Sequence, residues 1–170
     1  MTYQQSVEMF ANPPGMCAVT QANNLVMSAG KVIEFVGTRA MKGNLHNQIT
    51  INASGSITLP SGYYYYLEGT TQGYYASVTD PSDTAAALYQ WHEGTTAVGS
   101  RGQIKRQYQG SDAILTTADE KAIHFVDATA GAVEEFLKIM TFTKFTHINY
   151  SSDQYVYAGF GRAVVVQLEP

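Results

Sequence analysis

The sequence predicts an all-β chain folded as a sandwich or jelly roll. Three observations carry that prediction. Short runs rich in Val, Ile, Thr, Tyr and Phe recur along the chain, each bounded by Gly, Pro, Asn, Asp or Ser, as strands and turns alternate in such folds. The stretch Ile57–Tyr75, ITLPSGYYYYLEGTTQGYY, joins a Leu-Pro-Ser-Gly turn to four consecutive tyrosines, and Tyr suits the pleated surface of a strand. No unit of about 20–50 residues repeats, which argues against a solenoid or propeller. At 170 residues with 45% hydrophobic side chains, the chain is long enough for one well-filled domain, or one domain and an arm.

Residues 1–30 stand apart. Asn12-Pro13-Pro14-Gly15 interrupts any regular element, and Gln21-Ala22-Asn23-Asn24 is polar and loop-like. A segment of this kind buries little by itself, so it is a tail or an arm packed on something else. Val7, Met9, Phe10, Met16 and Val19 favour the arm. The sandwich is expected to occupy residues 31–170.

Strands follow in sequence from there. Lys31–Thr38 (KVIEFVGT) is β-branched and aromatic, and Gln48–Ala53 with Ser56–Pro60 forms a hairpin about Ser54-Gly55. In the tyrosine strand successive side chains face opposite ways. Tyr63, Tyr65 and Leu67 share one face, and Tyr64, Tyr66 and Glu68 the other. Glu68 is a poor core residue, so the first set is assigned to the interior. Tyr64 and Tyr66 then lie on an aromatic face outside the core, a surface suited to a partner. A glycine break is expected before a further strand at Tyr74–Thr79, and Asp80-Pro81-Ser82-Asp83 is a turn. Ala86–His92 alternates Leu88 and Gln90 against Tyr89 and Trp91; Gly94 turns, and Thr95–Gly99 returns beside it. Ile104–Tyr108, Ala113–Thr117 and Lys121–Asp127 continue the series. Val133–Phe145 reads two ways. Val133, Phe136, Leu137 and Met140 share a helical face, but the Thr- and Phe-rich continuation and the β context favour one long strand. Tyr155–Leu168 closes the chain, with Val164–Val166 suited to a central strand.

Composition narrows the function classes. Net charge is −4 and no run of like charges occurs, so the electrostatic footprint of a nucleic-acid binder is missing. Arg101, Lys105 and Arg106 read as a solvated face. The single cysteine, Cys17, excludes an intrachain disulfide and a Cys-based zinc site, and its apolar neighbours mark it as a small buried hydrophobe. No apolar run approaches the ~18 residues of a membrane span, and the polar start is unlike a signal peptide. Synthesis in the cytoplasm is therefore expected, with the sequons at Asn52 and Asn149 accidental.

Catalytic patterns are weak. His46, His92, His124 and His147 are widely spaced, with neither His-x-His nor His-Glu-x-x-His. His92-Glu93 is the nearest local ligand pair, but a hairpin-end histidine is expected on the surface. Glu134-Glu135 and Asp119-Glu120 are adjacent, so on a strand they point apart, whereas a glycosidase pair must face each other. Asp80 and Asp83 flank a proline turn. Nothing calls for a metal, a cofactor or a catalytic group.

In KVIEFVG, SITLPSGYYYYLEGT, ALYQWHEGTTAVGSRG and GFGRAVVVQLEP the chain resembles the trimeric jelly roll of the tumour-necrosis-factor and complement-C1q-like group. It resembles most the versions carried by tailed-phage virion proteins, over about residues 31–170. The EEFLKIMTFTKFTHINY segment departs from the group's pattern. The resemblance implies a homotrimer built on aromatic inner strands, and a virion protein that decorates and cements the capsid surface by binding the major capsid protein. Neither a nucleic acid nor a membrane is an expected partner. Tyr64 and Tyr66 would sit at the subunit contact, and Val7, Met9 and Phe10 on the arm would engage the shell. Two alternatives stand beside this one. A fibre or receptor-binding tip would stack sugars on exposed Tyr or Trp91, and a jelly-roll enzyme would carry a metal.

Overall fold

Alternation along thirteen short elements decides which side chains meet between two layers. The computed structural model describes residues 12–21, 29–76, 84–107, 113–116, 118–143 and 160–170. In chain order the elements begin with β1 (Gly15–Gln21), β2 (Phe35–Lys42), the short α1 (Leu45–Gln48), β3 (Thr50–Ile51) and β4 (Ile57–Leu59). Next come β5 (Tyr64–Ala76), β6 (Thr84–Glu93), β7 (Thr96–Gln107), β8 (Ala113–Thr116) and β9 (Ala118–Glu120). The last three are β10 (Ala122–Asp127), β11 (Val133–Thr143) and β12 (Phe160–Leu168).

Two antiparallel sheets result. The first runs β10-β5-β12-β1-β2, with β8 added to the far end of β5, and the second runs β3-β4-β11-β6-β7-β9. From β4 onward the chain crosses from one sheet to the other: β5 in the first, β6 and β7 in the second, β10 in the first, β11 in the second, β12 in the first. That winding of two layers is a jelly-roll β-sandwich.

The core lies where the inner faces meet. From the first sheet come Cys17, Val19, Phe35, Tyr65, Leu67, Val126 and Val165, and from the second Ile57, Leu59, Tyr89, Trp91, Leu137 and Ile139. Tyr65 and Leu67 point inward as the alternation with Glu68 predicts, while Tyr63 is half-buried against the same core. Each large polar tip has a partner, as burial demands. The Tyr65 hydroxyl donates to the Pro60 carbonyl at 2.9 Å, the Tyr89 hydroxyl to Glu120 O at 2.5 Å, and Trp91 Nε1 to Ala122 O at 3.0 Å.

Several boundaries differ from the sequence reading, each for a tertiary reason. Gly15–Gln21, grouped with the arm, is a strand hydrogen-bonded to β12 on one side and β2 on the other. Its Cys17 and Val19 are fully enclosed, so β1 belongs to the sandwich. The glycine break expected in the tyrosine stretch is absent, and β5 runs unbroken through Gly69. A Cβ on Gly69 would lie 2.8 Å from Leu137 Cδ2 and 3.2 Å from Trp91 Cζ2. The missing side chain is a notch that admits the opposite sheet. The strand expected from Lys31 starts four residues later and continues to Lys42. Val133–Thr143 is one long strand, with Glu135, Leu137 and Ile139 inward. The hairpin about Ser54-Gly55 forms through β3 and β4, with Gly55 at φ +81°.

A two-residue bulge at Gly99-Ser100-Arg101 shapes the β6–β7 hairpin, since Tyr89 pairs with Gly102 but Trp91 with Val98. Gln90 closes it, donating from Nε2 to Gly99 O at 2.9 Å and accepting from Arg101 Nε at 3.3 Å. Gly99 adopts φ +67°, and a Cβ there would lie 2.1 Å from Ile123 O. Gly99→Ala is therefore expected to cost about 2 kcal/mol or more, from left-handed strain and overpacking together. Urea denaturation checks this, and an unchanged midpoint would show that the bulge relaxes.

Candidate functional site

Antiparallel register aligns the outward side chains of the first sheet into rows. One row crosses all five strands: Phe125 on β10 opposite Tyr66 on β5, then Val166 on β12, Met16 on β1 and Lys42 on β2. The adjacent row is Ile123, Glu68, Val164, Ala18 and Arg39, and a shorter one holds Asp127, Tyr64 and Leu168. The outer face of this sheet thus carries an apolar row bordered by charged and polar positions, Glu68 on β5 and, further along, Arg162 on β12 between Thr70 and Thr20. A solvated sheet normally alternates apolar inside with polar outside. Along the row from Phe125 to Met16 this sheet is apolar on both sides.

Accessibility is concentrated at one end of the long row and along the β2 edge. Phe125 is 59% exposed, and Val36 and Met41 at the irregularities of β2 are 58% and 53% exposed. Tyr64 and Tyr66 are half-buried. The Tyr66 and Phe125 rings meet at a centroid distance of 5.2 Å and a tilt of 58°, within the range of a favourable aromatic pair. Tyr66 donates its hydroxyl to Glu68 Oε2 at 3.0 Å, and Lys121 Nζ holds the other carboxylate oxygen at 2.5 Å. Burial, helped by Glu68, pushes the Tyr66 hydroxyl up to about 12, so at neutral pH it keeps the proton it donates to Glu68. Both rings are fixed in place by these contacts before any partner arrives.

Charge is divided between the two margins. Asp127 lies at the β10 side, its carboxyl held below the ordinary range by hydrogen bonds from the Thr129 hydroxyl and backbone. Arg39 and Lys42 lie on β2 at the opposite edge.

Strand β10 is pinned to the second sheet at several points. Besides the Trp91 bond to Ala122 at its start, Ile123 N donates to Ser100 Oγ at 3.1 Å, and Gly99 lies against Ile123 and His124. The position of Phe125 is thereby tied to the core behind it.

The other sequence-singled residues scatter. Val7, Met9, Phe10, His147 and the Asp80–Asp83 turn lie outside the described residues. Trp91 is fully enclosed and stacks on Phe35 at 6.2 Å, so no sugar can reach it. His92, expected on the surface, is only 6% exposed, with Nδ1 3.1 Å from Gln90 O and Phe136 beside it in the ladder. Glu134 and Glu135 do point apart. Glu134 accepts from Ser56 and Asn52 at the surface, while Glu135 is buried. The Asn52 amide of the first sequon is directed at Ser56, Thr58 and Glu134. Phe125 was not singled out in the sequence, although the alternation Ala122, His124, Val126 already turns it outward.

No protein-family model matches the chain, and no curated protein matches it in sequence. Among solved structures it is similar to the Eiger TNF from S. frugiperda, with a TM-score of 0.39 and 13% identity, over 91% of this chain and 93% of that one.

Proposed function

We propose that the outer face of the first sheet is a self-association surface, and that the chain works as a homotrimeric structural subunit on the capsid of a tailed phage. The observation that carries the first part is the continuous apolar row Phe125–Tyr66–Val166–Met16, with Phe125 exposed at its end. Val166 is already covered in the single chain, but Phe125 and the half-buried Tyr66 and Met16 leave apolar surface that a copy of the same chain would remove from solvent. Opposite charges at the two margins, Asp127 against Arg39 and Lys42, favour a head-to-tail arrangement in which the β10 side of one copy meets the β2 edge of the next. A head-to-tail contact that closes is a ring.

The virion setting rests on the resemblance of SITLPSGYYYYLEGT, ALYQWHEGTTAVGSRG and GFGRAVVVQLEP to phage jelly-roll proteins. In this reading the trimer decorates and stabilises the head by binding the major capsid protein, with Val7, Met9 and Phe10 of the N-terminal segment reaching the shell. Three modest contacts engaged together hold far more firmly than one. No catalytic group, metal or cofactor is required.

Two measurements test the proposal. Light scattering of the purified chain should give three times the 18.5 kDa subunit mass, and electron microscopy of undecorated phage heads mixed with it should show ordered protrusions. A monomer that leaves the shells bare overturns it. Deleting residues 2–11 spares β1, so that variant is expected to remain a folded trimer and to lose the shells. Undiminished shell binding would remove the arm from the mechanism.

A further inference from the structure

Glu135 takes no part in the outer face. It points inward from β11, fully enclosed, and neither carboxylate oxygen has a hydrogen-bond partner among the described residues. Desolvating a carboxylate is costly, and native chains seldom leave one so. The nearest polar side chain comes from the other sheet, where His124 Nε2 lies 3.5 Å from Oε1 and the imidazole is 14% exposed. That separation permits an ion pair but not a well-formed hydrogen bond.

Among the described residues no lysine or arginine pairs with Glu135. On β6, Glu93 stands directly opposite Glu135 in the ladder, while β4 sets Ile57 there and β7 turns Val98 to the core. Lys121 is committed to Glu68 on the outer face. Burial raises the Glu135 carboxyl above its ordinary value of 4.5; His124 pulls it back down, and Glu93 adds to the rise.

The strand that carries His124 inward carries Phe125 outward at the next residue. We infer that His124 and Glu135 form a proton-responsive latch between the two sheets, which holds β10, and Phe125 with it, in place while the pair keeps a proton and loosens it when the proton leaves. The coupling to Phe125 rests on the self-association reading above; the latch itself does not.

The direction follows from linkage. A carboxyl whose pKa is raised by folding binds more protons folded than unfolded, so stability falls as pH rises between the two values. The contribution is whole below about 4.5 and is lost as pH climbs through the raised folded value. An ionised Glu135, enclosed as it is, then draws water or displaces His124, and β10 shifts.

The full chain between pH 4 and pH 9 provides the test, with two readouts. Urea midpoints of the wild type are expected to fall with rising pH. Glu135→Gln, close in shape and uncharged, should flatten that fall and be the more stable protein at pH 9. His124→Gln, which strands the carboxyl, should steepen it. By light scattering, the wild-type trimer should dissociate at higher protein concentration at pH 9 than at pH 5, and Glu135→Gln should erase that difference. Parallel midpoint slopes in wild type and both variants overturn the latch. Altered slopes with an unaltered pH dependence of trimer dissociation overturn the coupling to Phe125. A wild type that is monomeric at every pH overturns the self-association reading instead, and the midpoint slopes still decide the latch.

Discussion

Replacing Tyr66 and Phe125 together by serine is expected to turn the proposed trimer into monomers that remain folded. The two rings meet at 5.2 Å at the accessible end of the long outer row, and neither belongs to the inner core. Aromatic anchors at the centre of an interface typically contribute about 2 kcal/mol each, so losing both should weaken association by about 4 kcal/mol. That is roughly a thousandfold in the dissociation constant. Folding should suffer less than association, because both rings lie outside the inner core, and the Tyr66 hydrogen bond to Glu68 is only part-buried. Tyr64→Ser combined with Tyr66→Ser should act in the same direction through the row shared with Leu168. Light scattering reads the mass and far-ultraviolet dichroism the fold. An unaltered trimer mass would place the subunit contact elsewhere.

The largest expected effect on stability is at Trp91. Its indole is fully enclosed, stacks on Phe35 and reaches the edge of Gly69, and its N–H satisfies the Ala122 carbonyl. Trp91→Ala removes the largest side chain of the core and orphans that carbonyl. About 4 kcal/mol is expected for the cavity alone, with a further 1–3 kcal/mol or so for the stranded acceptor. Against a total of about 5–15 kcal/mol for a domain, that unfolds much of the population. Trp91→Phe keeps most of the packing and should show chiefly the lost hydrogen bond. Urea denaturation separates the two variants, and a loss below about 1 kcal/mol for alanine would mean that the core closes over the gap.

What the sequence made legible was local alternation. Tyr65 and Leu67 could be placed inside because Glu68, one residue on, had to be outside. β11 could be favoured as a strand from its β context, although Val133, Phe136, Leu137 and Met140 also share a helical face in the sequence. Long-range contacts stayed hidden. β1 looks like a loop because Pro13, Pro14 and the polar Gln21–Asn24 flank it, and its partner β12 begins some 140 residues later. Gly69 reads as a break until Leu137 and Trp91 are seen filling the space its side chain would take. His92 reads as a surface residue because nothing in the sequence tells that the ladder will set Phe136 beside it. The candidate surface was half legible: Tyr64 and Tyr66 announced an aromatic face, but Phe125 joins it only through the pairing of β10 with β5.

The thiol of Cys17 offers a different use for the fold. It is the chain's lone sulfhydryl, sealed between β12 and β2, and burial pushes it up to about 11. Alkylating reagents attack the thiolate, so labelling must wait until β1 peels from its two neighbours. The rate at which iodoacetamide consumes the native protein is therefore a clock for the opening of that seam, and it needs no engineered probe.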